Sequence, residues 1–320
     1  MSLLLTGATG FVGRNLLLRA LASGEDVFAV VRDEAKLLAQ LKAENVAATQ
    51  LQVLSSRPDL WPVVAPTHAV LSAGVLFGRT REEYFATNVD WTLSVLRALP
   101  EACRVVILSS LAAAGPTPEG CTALCESDAD HPITWYGQSK LAMEQAVRAE
   151  FPRRHITILR PPMVLGPRDT ATLPLFRMGK GALRFKPGLA DKHYSFIAVD
   201  DLIDAIFAAL ASPEPLPTCY VAHPQTISDR ELIASSSEKS GRIVPIPHGL
   251  LKQVARVIDA VPALRKAVPS LSGDRVLEVW ADRWVVNGAK FTTLTGLLPR
   301  RGLRETMLAT RDYYLREGLL

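Results

Sequence analysis

The stretch that most constrains this chain is its opening, Leu3-Leu4-Leu5-Thr6-Gly7-Ala8-Thr9-Gly10-Phe11-Val12-Gly13. A short apolar run, enough for one buried strand, meets three glycines spaced G-x-x-G-x-x-G. It passes at once into Arg14-Asn15-Leu16-Leu17-Leu18-Arg19-Ala20-Leu21, which reads as a helix. A strand that turns directly into a helix brings free backbone N–H groups and the positive dipole end to the C-terminal edge of a sheet, where they hold a diphosphate. Gly7 suits the tight turn, Gly10 the close approach of phosphate, and Gly13 the packing of helix on strand. Such a turn is an ordinary strand–turn–helix unless the rest of a dinucleotide site accompanies it, within the first strand–helix–strand unit.

The next strand supplies that context. Gly24 stops the first helix, and Asp26-Val27-Phe28-Ala29-Val30-Val31 is a second buried strand. NAD-binding chains place a carboxylate at the tip of this strand, on the ribose 2′-hydroxyl. Here Val31 stands at the tip, followed by Arg32. A carboxylate repels a 2′-phosphate, whereas a guanidinium grips it bidentately. The expected cofactor is therefore NADP, with NAD possible, Arg32 as the reader and Arg14 as a second contact. The bland reading of Arg32 is a solvated strand end beside Asp33.

Strands and helices then alternate. Ala35 to Ala43 is a helix, Gln50 to Leu54 a short strand, and His68-Ala69-Val70-Leu71 a strand running into Ser72-Ala73-Gly74, whose small side chains let backbone pass under the cofactor. Glu82 to Leu99 reads as one long helix, Arg104 to Leu108 as a buried strand, Gly115 to Pro132 as an irregular loop, Trp135 to Glu150 as a helix and Ile156 to Leu159 as a strand. The alternation predicts an α/β fold, a Rossmann-like doubly wound parallel sheet with right-handed crossovers and a smaller C-terminal substrate lobe. The expected division is a dinucleotide-binding domain over 1–165, with 195–222 returning to its core, and a mainly substrate-binding lobe over 166–320. In that lobe Leu250 to Val268 is amphipathic, with Lys252, Arg256, Arg265 and Lys266. A membrane-surface role is conceivable, but a core-packing or lid helix is the commoner use of such a pattern.

The totals exclude several classes. With 320 residues, 48% hydrophobic and 21% charged, the chain is ordinary for a globular protein of one large domain with an appended lobe, or of two. A net charge of +4, with basic residues scattered, is too mild for nucleic acid. Cys103, Cys121, Cys125 and Cys219 show no pairing framework and no metal-ligand spacing, so free thiols, a reducing compartment and no metal are expected. The start has no signal-peptide pattern and no run reaches membrane-span length, which makes cytoplasmic the default.

The sharpest chemical signal is Tyr136-Gly137-Gln138-Ser139-Lys140. Residues four apart share a helix face, so Tyr136 and Lys140 can point together into the cleft. A nearby ammonium favours phenolate, which suits Tyr136 as general acid for a ketone or base for an alcohol. Lys140 also reaches the nicotinamide ribose. Ser110 ends a strand at the ligand-binding edge and can hold the substrate oxygen, with Ser109 as the alternative. Asn88, a poor helix former inside a predicted helix, is placed as the holder of a water relaying protons to Lys140, or as a helix distortion. His68 is taken as structural.

Together these residues resemble the extended short-chain dehydrogenase/reductases, the NAD-dependent epimerase/dehydratase family. Five segments match in order: Thr6 to Gly13, Asn88 to Thr92, Ser109-Ser110, Tyr136 to Lys140, and Arg160-Pro161-Pro162-Met163-Val164-Leu165-Gly166-Pro167. Phe196 to Leu202 resembles a later core segment of the family. The resemblance implies a catalytic set of Asn88, Ser110, Tyr136 and Lys140. It adds Pro161, Met163 and Val164 beside the cofactor, a substrate-binding C-terminal lobe, and commonly a homodimer packed through the Asn88 and Tyr136 helices. Nucleotide-sugar members often carry Asn at the position of Met163, and the pair Val31-Arg32 resembles the NADP-dependent reductases such as dihydroflavonol reductases and 3β-hydroxysteroid dehydrogenase-like proteins.

The expected activity is NADP(H)-dependent hydride exchange with a ketone, aldehyde or secondary alcohol. One alternative is a nucleotide-sugar epimerase or dehydratase with tightly bound NAD, and another is a non-catalytic dinucleotide-binding sensor. Arg168, Arg177, Lys180, Arg184, Lys186 and Lys192 could meet a substrate's phosphates, but are read as a solvated face. His193 and Tyr194 are placed at the pocket mouth.

Overall fold

Each apolar run of the first half becomes a strand of one sheet. A computed structural model describes residues 1–261, 263–264 and 273–320. In order come β1 (Ser2–Thr6), α1 (Phe11–Ala22), β2 (Asp26–Val31), α2 (Glu34–Ala43), β3 (Leu51–Ser55), β4 (His68–Leu71), α3 (Arg81–Phe85), α4 (Thr92–Ala98), β5 (Arg104–Leu108), α5 (Trp135–Glu150) and β6 (Ile156–Arg160). Then follow β7 (Met163–Leu165), α6 (Leu173–Gly179), β8 (Leu183–Pro187), β9 (His193–Tyr194), β10 (Phe196–Ala198), α7 (Val199–Ala211), β11 (Cys219–Tyr220), β12 (Ile227–Ser228), α8 (Asp229–Ser235), β13 (Arg242–Ile246), α9 (His248–Ala260) and β14 (Arg283–Trp284).

The large sheet has seven strands, β11-β6-β5-β4-β1-β2-β3, and every pair is parallel. The chain winds outward from β1 to one edge, then returns to β4 on the other side. The strand order therefore reverses between β1 and β4, registered Leu3↔His68 to Thr6↔Leu71. The crevice beyond their C-terminal ends is where sheets of this kind bind ligands. Both faces are covered, as parallel sheets require. Leu3 and Leu5 point into one apolar layer with Leu16, Leu17, Leu202 and Ile206 of α1 and α7. Leu4 points into the other, with Leu93, Leu96, Met143 and Val147 of α4 and α5. The expected doubly wound α/β architecture is borne out.

Three expectations change. The helix read as unbroken over Glu82 to Leu99 is α3, π-helical turns at Ala86–Trp91, and α4. The wider turns let Asn88 reach sideways, and such π-segments frequently mark functional sites. Second, much of the supposed solvated basic face is interior. Arg184, Lys186 and Lys192 are buried, and Arg168 is clamped on Glu44, at 2.7 Å from Nη2. Lys186 bonds Asp229 at 2.9 Å and Ala190 O at 2.7 Å, and Lys192 bonds Asp282 at 2.9 Å. Only Arg177 and Lys180 of that group are exposed. Burial between elements explains the difference: each cation fixes a distant carboxylate or carbonyl. Third, α9 buries Ala255 and Ile258 but leaves Leu250, Val254 and Val257 exposed, so it is not a helix packed all along its apolar face. Arg265 and Lys266, placed on the same amphipathic run, lie outside the described residues. The lobe itself is built of short pieces: β8 with β13, β7 with β10, and β9 between β12 and β14.

Candidate active site

The turn between β1 and α1 is wound too tightly for side chains. Gly7 has φ +77°, and a Cβ there would lie 2.8 Å from Ala73 N. A Cβ on Gly13 would lie 2.1 Å from Gly7 O. Gly10 caps α1 without any side-chain acceptor, so the first-turn N–H groups remain available to an anion. A diphosphate fits this cradle. Thr6 is buried and joins the switch-point strands: its Oγ1 accepts from Ala73 N at 3.1 Å, and its carbonyl accepts from Ser72 Oγ at 2.6 Å. Thr9 accepts from Gln40 Nε2 through its carbonyl at 3.4 Å.

At the tip of β2, Val31 is buried in the core, so that position has no carboxylate. Arg32 beside it is exposed, while Asp33 is occupied capping α2 through Lys36 N at 2.9 Å. Arg14, expected as a second contact, is instead held by Glu44 at 2.8 Å, which Arg168 also grips. Arg14 is engaged there through Nη2, and the two guanidiniums hold Glu44 below the usual carboxylate range, the Arg168 hydrogen bond most of all.

A cavity of about 740 Å³ runs from this turn into the lobe. Gly7, Gly10, Phe11, Val12, Gly13, Ser72 and Gly74 line one end. Ser110, Tyr136 and Lys140 meet them there, with Pro161, Met163 and Val164 beneath. Thr6, Thr9, Arg14, Arg32, Ala73 and Asn88 stand behind or outside that lining. Tyr194 lines the cavity; His193 does not. His68 lies at the far, N-terminal end of β4, its Nδ1 2.8 Å from Thr67 Oγ1.

Thr134 caps α5, accepting from Gly137 N at 3.1 Å, and so fixes where Tyr136 and Lys140 point. Lys140 is buried and donates to Leu108 O at 2.8 Å, at the end of β5. Burial lowers its ammonium to about 8, against the opposing pull of Glu144. Tyr136 is raised above the usual phenol value, burial first. The Arg275 guanidinium and the Ser110 hydroxyl act the other way, while Glu278 and Tyr84 add to the rise. Arg275 is thus a cation beside Tyr136 that the sequence did not point to. Ser110 and Ser109 are separated by their partners: Ser109 donates to the buried Glu144, whereas Ser110 Oγ accepts from Ala112 N at 3.1 Å and stands beside the Tyr136 hydroxyl. Glu144 is itself held by Arg160 at 2.8 Å, and Asp130 at 2.6 Å braces the same guanidinium.

Asn88 is nearly saturated. Its Oδ1 accepts from Val75 N at 2.8 Å, and its Nδ2 donates to Val75 O at 3.2 Å and Ser139 Oγ at 2.9 Å. It therefore clamps the loop after β4 to α5. One acceptor site on Oδ1 remains, near Lys140, since a Cβ on Gly74 would lie 3.1 Å from Oδ1 and 3.3 Å from Lys140 Nζ.

Sequence reasoning missed the wall opposite. Arg275 stacks over the Tyr136 ring, 4.6 Å from its centroid. It pairs with Glu278, at 2.5 Å, and Glu278 accepts from Thr134 Oγ1 at 2.8 Å, 144 residues away. Asp274 accepts from Trp135 N. Burial raises the Glu278 carboxyl, with Arg275 opposing. No spacing or motif ties these residues to the Tyr136 helix; only the folded lobe does. Among the described residues no helix is long and apolar enough to cross a membrane.

A family model described as "NAD dependent epimerase/dehydratase family" matches residues 3–221. The chain is 26% identical to a ceramide reductase of Caulobacter vibrioides, over 99% of this chain and 95% of that one. It is 29% identical to a dTDP-6-deoxy-L-talose 4-dehydrogenase (NAD(P)(+)) of Kitasatospora kifunensis, over 76% and 82%. Among solved structures it superimposes with TM-score 0.75 on the UDP-glucuronic acid 4-epimerase of Bacillus cereus, solved with UDP-glucuronic acid and NAD, at 19% identity over 99% and 100%. That last likeness is one of fold.

Proposed function

The chain belongs to the NAD-dependent epimerase/dehydratase family and is an oxidoreductase using a nicotinamide dinucleotide; from that premise we propose that it reduces a ketone or aldehyde, or oxidises the corresponding secondary alcohol, with NADP(H). The observation that carries this is the meeting of Ser110, Tyr136 and Lys140 with the glycine turn in one cavity.

A bound dinucleotide would supply or accept the hydride. The chain's residues do the rest. The N-terminus of α1, with Gly7, Gly10 and Gly13, holds the diphosphate. Lys140, fixed on Leu108 O, orients the nicotinamide ribose. Ser110 Oγ donates to the substrate oxygen, and the Tyr136 hydroxyl gives it a proton during reduction or takes one during oxidation. Asn88 sets the angle of the loop carrying Gly74 and offers Oδ1 to a water beside Lys140. NADP over NAD is supported by exposed Arg32 and by the absence of a carboxylate at Val31.

The relatives at 26% and 29% identity are named reductase and dehydrogenase, which favours net redox turnover over epimerisation. The test is Tyr136→Phe. NADPH-dependent reduction should fall roughly a hundred- to ten-thousandfold, while the dissociation constant for NADPH stays within about threefold, and the parent protein should bind NADPH more tightly than NADH. Undiminished turnover in Tyr136→Phe would remove the assignment.

A further inference from the structure

The cavity has two ends of different character. The cofactor end sets glycine backbone, the hydroxyls of Ser72, Ser110 and Tyr136 and the Lys140 ammonium among apolar side chains such as Phe11, Val12 and Val164. The lobe end gathers Leu175 and Met178 from α6, Phe185 from β8, Leu232 from α8 and Trp284 from β14. None carries a charge. The apolar lining continues to the rim, where Phe77 and Phe185 stay 39% and 48% exposed. Large apolar side chains held open at the mouth of a cavity favour an apolar occupant that covers them.

The ionisable groups at this end pair chiefly with one another, and among the described residues the polar atoms left over, Asp229 Oδ1 and Arg275 Nε, are buried without a partner. Asp229 is held by Lys186 at 2.9 Å, and Glu278 by Arg275 and Thr134. Asp169 accepts from Ala171 N at 2.8 Å, and burial raises its carboxyl. The cations nearest in sequence are engaged elsewhere: Arg168 on Glu44, Arg184 on the carbonyls of Gly179 and Lys239, Lys192 on Asp282. A nucleotide diphosphate seated here would bring two negative charges to a wall that contains Asp169 and offers one guanidinium, already paired. Desolvating phosphate without new partners is strongly unfavourable. Met163 on β7 adds an apolar side chain where a polar one would have helped.

Resting on the oxidoreductase reading above, we infer that the substrate is an elongated, uncharged, lipid-like molecule. Its carbonyl or hydroxyl sits at Ser110 and Tyr136, and its apolar body runs along Leu175, Met178 and Phe185 to the rim. The structure thereby separates two tasks: the sheet positions the reacting oxygen, and the lobe recognises hydrocarbon.

The test uses the full chain and straight-chain 2-alkanones from five to thirteen carbons with saturating NADPH. In parallel, the corresponding 2-alkanols are titrated calorimetrically onto the protein holding NADPH, a pair that cannot exchange hydride, with UDP-glucose as the charged comparison. Both kcat/KM and affinity should rise about two- to fourfold per added methylene until the chain reaches the rim. Met178→Asp should cut the ratio of long- to short-chain affinity at least tenfold, with NADPH binding serving as the check on folding. Chain-length-dependent alkanol binding without turnover of any ketone would keep this pocket assignment and remove the reductase reading. Affinity that is flat with chain length, UDP-glucose binding more tightly than the longest alkanol, or an unchanged ratio in Met178→Asp would overturn the inference.

Discussion

Gly13 and Lys186 are both fixed by what surrounds them, but by constraints of opposite kind. At Gly13 a Cβ would meet Gly7 O at 2.1 Å, a carbonyl six positions earlier in the chain. At Lys186 a fully buried ammonium meets Asp229, 43 positions later. The sheet half fixes its site through backbone wound on itself over a few residues. The lobe fixes its shape through charges that find each other only after folding. The sheet region has a buried charge cluster of its own, Arg160 on Glu144 and Asp130, but its glycine turn rests on backbone, whereas the lobe depends on pairs whose members fail together.

Four changes test that contrast. Lys186→Met leaves the Asp229 carboxylate buried without its partner, so urea denaturation should show a loss of about 3–5 kcal/mol. Adding Asp229→Leu should restore most of it, because two apolar groups replace the pair. If the double variant is no better than the single, the lobe is not held by paired charge. Gly13→Ala should cost about 1–3 kcal/mol through overpacking and weaken NADPH at least tenfold, since Gly7 must move. Unchanged NADPH affinity would break the sheet half of the comparison.

The third is a pH effect. Burial holds Lys140 near 8 in the folded chain against 10.5 when unfolded. Between those values the unfolded state carries the proton and the folded state does not. Stability of the cofactor-free protein should therefore rise with pH from 8 toward 10, by at most about 1.4 kcal/mol per pH unit from this group. Lys140→Met should flatten the rise in thermal denaturation, and an identical slope in both proteins would contradict the burial. The smallest effect joins the two regions. Arg275, from the lobe, favours ionisation of Tyr136 on the sheet side. Ser110, Tyr84 and Glu278 also act on Tyr136, so Arg275→Met should move the alkaline limb of kcat/KM for reduction only slightly upward. A downward shift would show that the guanidinium acts on something else.

The same contrast explains what could be read from the residues alone. The parallel sheet follows from the alternation of apolar runs and helices, and the glycine turn from the eleven-residue stretch Leu3 to Gly13. Tyr136 and Lys140 lie one helical turn apart, so their shared face is visible in the spacing, and both line the cavity. Asn88 stood out as an awkward residue in a helix, but its anchoring of Val75 required the fold. Arg168, Arg184, Lys186 and Lys192 were misjudged because a cation in sequence carries no sign of whether a carboxylate will meet it underground. Arg275 and Glu278 gave no signal, since their relation to Thr134 and Tyr136 exists only across the closed lobe.

The π-helical turns at Ala86–Trp91 have a consequence for descent. They accommodate more residues than the same rise of α-helix, as an insertion would. Removing the extra residue would close these turns into regular α-helix with both flanks still in phase, so Leu93 and Leu96 would stay on the sheet. Asn88 would lose the wider turn that lets it reach Val75. The segment can thus shed its widening only by giving up the clamp between the loop after β4 and α5.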